Sequence, residues 1–202
     1  MRRLLSILFI LFSIIVTAQK PAEPVMAIQA AGSKFQFVDR QTRVPVSQQL
    51  WDETDPFVNG FARVFLHNKF SFVNVNGKPI SPVEFEDARN FSNKLAAVKK
   101  EGKWGFINET GNTILAFKYD IIFDFDQSVT AVFGNKKWWL INNKGSIIKP
   151  LDITVCFGFK NGIARVTKDD REGVLYPDGK IVLGLPKPTA TNVIPYHPNT
   201  NN

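Results

Sequence analysis

Four twelve-residue windows align without a gap at a spacing of 34: KFSFVNVNGKPI from Lys69, KWGFINETGNTI from Lys103, KWWLINNKGSII from Lys137 and REGVLYPDGKIV from Arg171. A second block keeps the same step, with FVNGFARV from Phe57, FSNKLAAV from Phe91, FDQSVTAV from Phe125 and FKNGIARV from Phe159. Two motifs in one phase define a repeat, and fixed periods of this size mark arrays and propellers. A unit so small cannot bury its own apolar face, so neighbours must stack. A degraded copy, KFQFVDRQT from Lys34, lies 35 residues before Lys69. The repeat domain is therefore expected to span 34–185, after an N-terminal linker at 19–33 and before a flexible tail at 186–202 rich in Pro, Asn and Thr.

Each copy carries its own turn signal. Asn74 to Gly77, Asn108 to Gly111, Asn142 to Gly145, and Tyr176-Pro177-Asp178-Gly179 put Gly at the fourth place of a four-residue turn. Type I turns favour Asn or Asp early, Pro second and Gly last, where a left-handed residue gives the hairpin its bulge. The flanks alternate as strands, with Trp104 and Phe106 on one face and Gly105 and Ile107 on the other. Ala62 and Val64, Ala96 and Val98, and Ala164 and Val166 supply a further alternating strand. The chain thus reads as all-β, with about three strands in each of about four 34-residue antiparallel repeats. An open, solenoid-like or twisted meander is the first expectation. A propeller is the alternative, its blades usually needing four strands and roughly 40 residues.

KWGFINETG, preceded by an F-x-x-G-x-A-x-V block and followed by an apolar-Tyr-Asp segment, resembles the WG-repeat family of bacterial β-rich repeats. Only one copy holds an intact Trp-Gly; the others have Phe70-Ser71, Trp138-Trp139 and Glu172-Gly173. The resemblance implies a secreted or multidomain-associated repeat module with no assigned catalytic activity.

Two positions of the repeat behave differently. The Trp104 position holds Phe35, Phe70, Trp104, Trp138 and then Glu172, which reads as an inter-repeat core ending in a polar cap. The Gly105 position holds Gln36, Ser71, Gly105, Trp139 and Gly173. Close-packed interiors resist such volume changes, so this position is expected to face solvent or a roomy groove. Trp139 then becomes the candidate contact for a glycan ring or a peptide, with a ring folded over its own sheet as the alternative.

The opening MRRLLSILFILFSIIVTAQK has Arg2-Arg3, an apolar run too short to span a bilayer, and Val16-Thr17-Ala18, which reads as a signal peptide at 1–18. Cleavage predicts an exported chain, periplasmic, cell-surface or secreted, with no stable membrane anchor. It leaves 23 Lys and Arg against 18 Asp and Glu, without the basic stripe that nucleic-acid binding requires. The one cysteine, Cys156, gives no disulfide framework and reads as a buried, inert thiol. His67 and His197 are too few for a histidine metal site or triad, and neither a cofactor nor a metal is expected. Asp124 and Asp126 could serve an envelope-polymer hydrolase, and a purely structural spacer is a third reading. A non-catalytic module that binds or scaffolds a protein or an envelope glycan is the leading expectation.

Overall fold

The computed structural model describes residues 24–184, so the leader and the tail lie outside the described residues. It contains five antiparallel sheets and, among the described residues, no α-helix. The first sheet pairs β1 (Val25–Gln29) with β2 (Phe35–Asp39). The second holds β3 (Glu53–Thr54), β4 (Phe61–Leu66) and β5 (Lys69–Asn74). The third holds β6 (Asp87–Ala88), β7 (Leu95–Lys100), β8 (Lys103–Asn108) and β9 (Thr113–Tyr119). The fourth holds β10 (Ile121–Ile122), β11 (Val129–Gly134), β12 (Lys137–Asn142) and β13 (Ile147–Leu151). The fifth holds β14 (Val155–Lys160), β15 (Ile163–Lys168), β16 (Arg171–Leu175) and β17 (Ile181–Leu183).

Two sequence expectations need correction here. The complete repeat has four strands, because a short opening strand precedes the three expected ones. In β3, β6 and β10 it is two residues long, too short to show an alternation. Four strands is the number a propeller blade carries. The stretch read as a linker also carries β1, which pairs along its length with β2 and buries Val25. It escaped notice because VMAIQ repeats neither motif.

The sheets are held together by one apolar core between each successive pair. Val25 and Phe37 meet Trp51, Ala62 and Val64; Phe72 meets Phe85, Ala96 and Val98. Trp104, Phe106 and Tyr119 meet Ile122, Val132 and Ile141; Trp138 and Leu140 meet Cys156, Ala164 and Val166. The inner strands of the third and fourth sheets are thus buried largely on both faces, and Leu95, Ala96, Ala97 and Val98 are all buried in succession. Even side chains face the sheet before and odd ones the sheet after, or the reverse, as the two-residue period dictates.

Turns repeat with the same step. His67-Asn68, Glu101-Gly102, Asn135-Lys136 and Asp169-Asp170 have both central residues at positive φ, the paired left-handed geometry whose twist matches a tight hairpin. At the other end, Gly77, Gly111, Gly145 and Gly179 donate their N–H to the carbonyls of Asn74, Asn108, Asn142 and Tyr176. Asn74, Asn108 and Asn142 also accept backbone N–H groups on their side-chain oxygens, and Asp178 accepts from Lys180 N–H at 2.8 Å. Polar side chains also tie one repeat to the next. Asn59 Nδ2 donates to Phe91 O at 2.7 Å and Asn93 Nδ2 to Phe125 O at 2.8 Å, 32 residues on in each case.

Asp52, Glu86 and Asp120, which follow Trp51, Phe85 and Tyr119 at the entry to successive sheets, accept hydrogen bonds within a sheet or across to the sheet before. Asp52 accepts from Lys34 Nζ and from His67 N–H, Glu86 accepts from Gly102 N–H at 2.9 Å, and Asp120 accepts from Lys103 Nζ. The fifth sheet ends the stack with a polar pair: Arg165 Nη2 lies 3.3 Å from Glu172 Oε2, and the guanidinium covers the Phe157 ring at 5.6 Å.

Candidate functional site

Trp139 is half-buried and packs back on the core between the third and fourth sheets. Its Nε1 points to Gly134 O at 3.4 Å, and it borders a crevice of about 60 Å³ with Tyr119 and Ile147. A water takes roughly 30 Å³ of liquid volume, so this space cannot accept a sugar ring. The ring is folded over its own sheet.

The premise behind that candidate is corrected too. Ser71, Gly105 and Gly173 are all buried, so the position does not face solvent. Its variation is absorbed by the strand beside it. Trp104 pairs with Tyr119 and Phe106 with Leu115, so β9 carries two more residues in this interval than β13, where Trp138 pairs with Leu151 and Leu140 with Lys149. The bulge places Phe117 over Gly105: a Cβ there would lie 2.5 Å from Leu115 O and 2.9 Å from Phe117 Cδ1. Without the bulge, Trp139 fills the layer itself. Ser71 fills its place with a hydroxyl that donates to Ser81 O at 2.9 Å.

The core aromatics are covered in a way the sequence did not reveal. Trp104 and Trp138 are buried, while Phe35 and Phe70 are half-buried. A cation or ring lies on each of three: Arg63 of β4 over Phe70 at 5.1 Å, Arg89, just past β6, over Trp104 at 4.9 Å, and Phe123, just past β10, stacked on Trp138 at 6.1 Å. Arg89, Phe123 and Phe157 are successive occupants of one repeat position. They lie where the opening strands of the third, fourth and fifth sheets converge.

That convergence forms a groove of about 240 Å³ bordered by Arg89, Asp120, Ile121, Phe123, Trp138 and Phe157, with Trp104, Val155 and Cys156 beside them. Its rim leaves Ile121, Val155 and Phe157 exposed at 37, 39 and 37 %. The β14 strand produces part of this shape. Cys156 pairs with Val166 and Phe159 with Ala164, so Phe157 and Gly158 oppose one residue in a bulge, with Gly158 at φ 75. The bulge turns Phe157 toward the groove.

The charged groups near the groove are paired. Arg89 Nη1 lies 3.4 Å from Asp124, and Lys103 meets Asp120. Burial pushes the Cys156 thiol up to about 11, against a smaller opposing effect of the Gly158 and Phe157 N–H groups. It is a packed thiol rather than a nucleophile. Asp126 accepts the Gly162 N–H at 2.6 Å, taking over the inter-repeat link that Asn59 and Asn93 make earlier. Neither Asp124 nor Asp126 borders the groove, so the sequence pair does not form a two-carboxylate site there. Among the described residues no three His, Cys, Asp or Glu side chains converge as metal ligands, and no helix is long and apolar enough to cross a membrane.

The groove could have been approached from sequence only through the Arg89, Phe123, Phe157 series, which changes from charged to aromatic in phase. Four-stranded antiparallel units, each sharing a core with the next, define an all-β repeat array. The chain belongs to the family described as WG containing repeat, which matches residues 70–104, 104–138 and 140–171. No curated protein sequence matches. Among solved structures the chain is similar to Hsv2p of Kluyveromyces lactis, with a TM-score of 0.44 and 11 % identity over 77 % of this chain and 59 % of that one. BamB from Moraxella catarrhalis is similar with a TM-score of 0.40 and 7 % identity, over 79 % of this chain and 60 % of that one. The chain therefore spans about six-tenths of the length of those structures.

Proposed function

We propose that this chain is an exported, non-catalytic binding module that engages a protein or an envelope glycan through the groove between its third, fourth and fifth sheets. The observation that carries this reading is the clustering of Ile121, Val155 and Phe157, all exposed, around one concavity. Isolated exposed apolar residues are ordinary on a protein surface, whereas a joined group beside a concavity marks a contact site. The repeat architecture favours the same reading, since stacked units offer extended faces while their interiors serve packing. The leader supports export, and the module acts outside the cytosol.

Two measurements test this. Intact mass of the chain recovered from the envelope or medium should show the loss of residues 1–18; retention of that segment on a membrane-bound chain contradicts export. Crosslinking from a photoreactive residue at position 155 in living cells should give a defined adduct that a probe on the far rim, at position 144, does not. Identical adduct patterns at the two positions would falsify a groove-specific partner.

A further inference from the structure

We infer that the groove takes one bulky uncharged side chain, aromatic or aliphatic, from a partner protein, and that it does not take a glycan. This rests on the groove being the binding face, and it decides between the two partner classes. The volume is the first observation. About 240 Å³ lies below the roughly 300–1,000 Å³ of small-ligand sites, and is suited to a single anchoring side chain.

The chemistry of the walls is the second. A sugar stacks on an open aromatic face and needs polar groups for its hydroxyls. Both are already engaged here: the exposed Phe157 ring carries the Arg165 guanidinium at 5.6 Å, and the lining polar side chains Arg89 and Asp120 are held in ion pairs with Asp124 and Lys103. Trp104 and Trp138 are 7 and 4 % exposed, and their faces are taken by Arg89 and Phe123. Trp138 Nε1 already donates to Thr154 O at 3.2 Å. A hydroxyl placed against Ile121, Val155 and Phe157 would lose its water partners without replacement, which is unfavourable for each group so buried. An apolar side chain loses nothing there and removes the exposed surface of those three residues from water.

The charge balance is the third. Around the groove Arg89 is paired with Asp124, Lys103 with Asp120, and Arg165, which lies over Phe157, with Glu172, three bases against three acids. Their fields cancel, so a charged anchor finds no complementary potential, and the neutral anchor fits. The contact resembles the centre of a protein interface, where one anchoring residue fills a pocket inside a polar rim.

The test uses the full chain, 15N-labelled, with the indole N–H signals of Trp104 and Trp138 as reporters. Two probes are compared: peptides selected from a displayed random library, and soluble peptidoglycan fragments with chito-oligosaccharides. Selected peptides should share a Trp, Phe or Leu flanked by uncharged residues and should shift both indole signals. Phe157→Asp and Val155→Asp, each at an exposed rim position, should weaken those peptides about tenfold or more while the unfolding temperature stays within a few degrees. Val155→Asp also keeps the test decisive if Phe157→Asp unfolds the chain. Shifts produced by the oligosaccharides and abolished by the rim variants would overturn the inference while leaving the groove as a binding site. Peptides that bind unchanged to both variants, or no indole shift with either probe, would overturn the inference and the groove reading together.

Discussion

Gly105 and Trp139 occupy the same place in successive repeats, one with no side chain and the other with the largest. Both sit on an inner strand of a four-stranded sheet, facing the sheet before. In the earlier repeat the bulged β9 folds Phe117 over the glycine; in the later one β13 runs on with two fewer residues and the tryptophan supplies the volume. What stays constant between the repeats is the filled layer, not the residue that fills it. A position can vary from Gly to Trp and still be interior, provided the neighbouring strand changes length in step.

The largest effect of a substitution in this layer is expected at the glycine. Gly105→Leu must displace a backbone carbonyl as well as a ring, and should cost more than about 3 kcal/mol in urea unfolding, beyond the usual range of overpacking penalties. A cost below about 1 kcal/mol would mean that β9 moves freely and that its bulge fixes nothing.

Removing either filler is the next test. Phe117→Ala and Trp139→Ala should each cost about 3 kcal/mol, and their near-equality is the point. A small loss for Trp139→Ala alone would show that its ring lies free of the sheet and would restore it as a binding platform. The two layers should also be separable, since Phe117 faces the second sheet and Trp139 the third. The double variant should then show nearly additive losses.

Cys156 calibrates the interface one sheet further along. Its folded-state value of about 11 stands above the ordinary 9.0, so burial favours the protonated thiol. This contribution is fully present below pH 9 and is lost as pH rises toward 11, amounting to about 2–3 kcal/mol. Stability of the parent and of Cys156→Ala measured across that window should converge at the alkaline end relative to neutral pH. Parallel curves would place the thiol in contact with water.

The smallest effect is expected at the surface. The Asp52 carboxyl is held below its ordinary 3.8 chiefly by Lys34, with help from the His67 N–H. Its contribution is present above pH 3.8 and disappears as pH falls through the lower folded-state value. Asp52→Asn should flatten the acid limb slightly and leave stability near neutral pH almost unchanged, because exposed ion pairs contribute little. A large loss at neutral pH would show that Lys34 and Asp52 clamp the first two sheets together.

Much of this architecture is legible in the chain. The 34-residue step gives the repeat, and the Asn-to-Gly spacing gives one turn of each hairpin, because turns are decided by local dihedral preference. The alternation of Trp104 and Phe106 against Gly105 and Ile107 marks two faces. The short opening strands and β1 were not legible, since two residues carry no period and VMAIQ repeats no motif.

The candidate site was the least legible part. Arg89, Phe123 and Phe157 stand 34 residues apart, and nothing local says that they meet. The sequence by itself determined the repeat, its turns and the residue types available at each position, all properties of short segments. Only the tertiary structure decided that Gly105 lies under Phe117, that Trp139 turns inward, and that three opening strands enclose a groove. Packing is set by the summed volume of strands distant in sequence, and that sum exists only once the sheets are stacked.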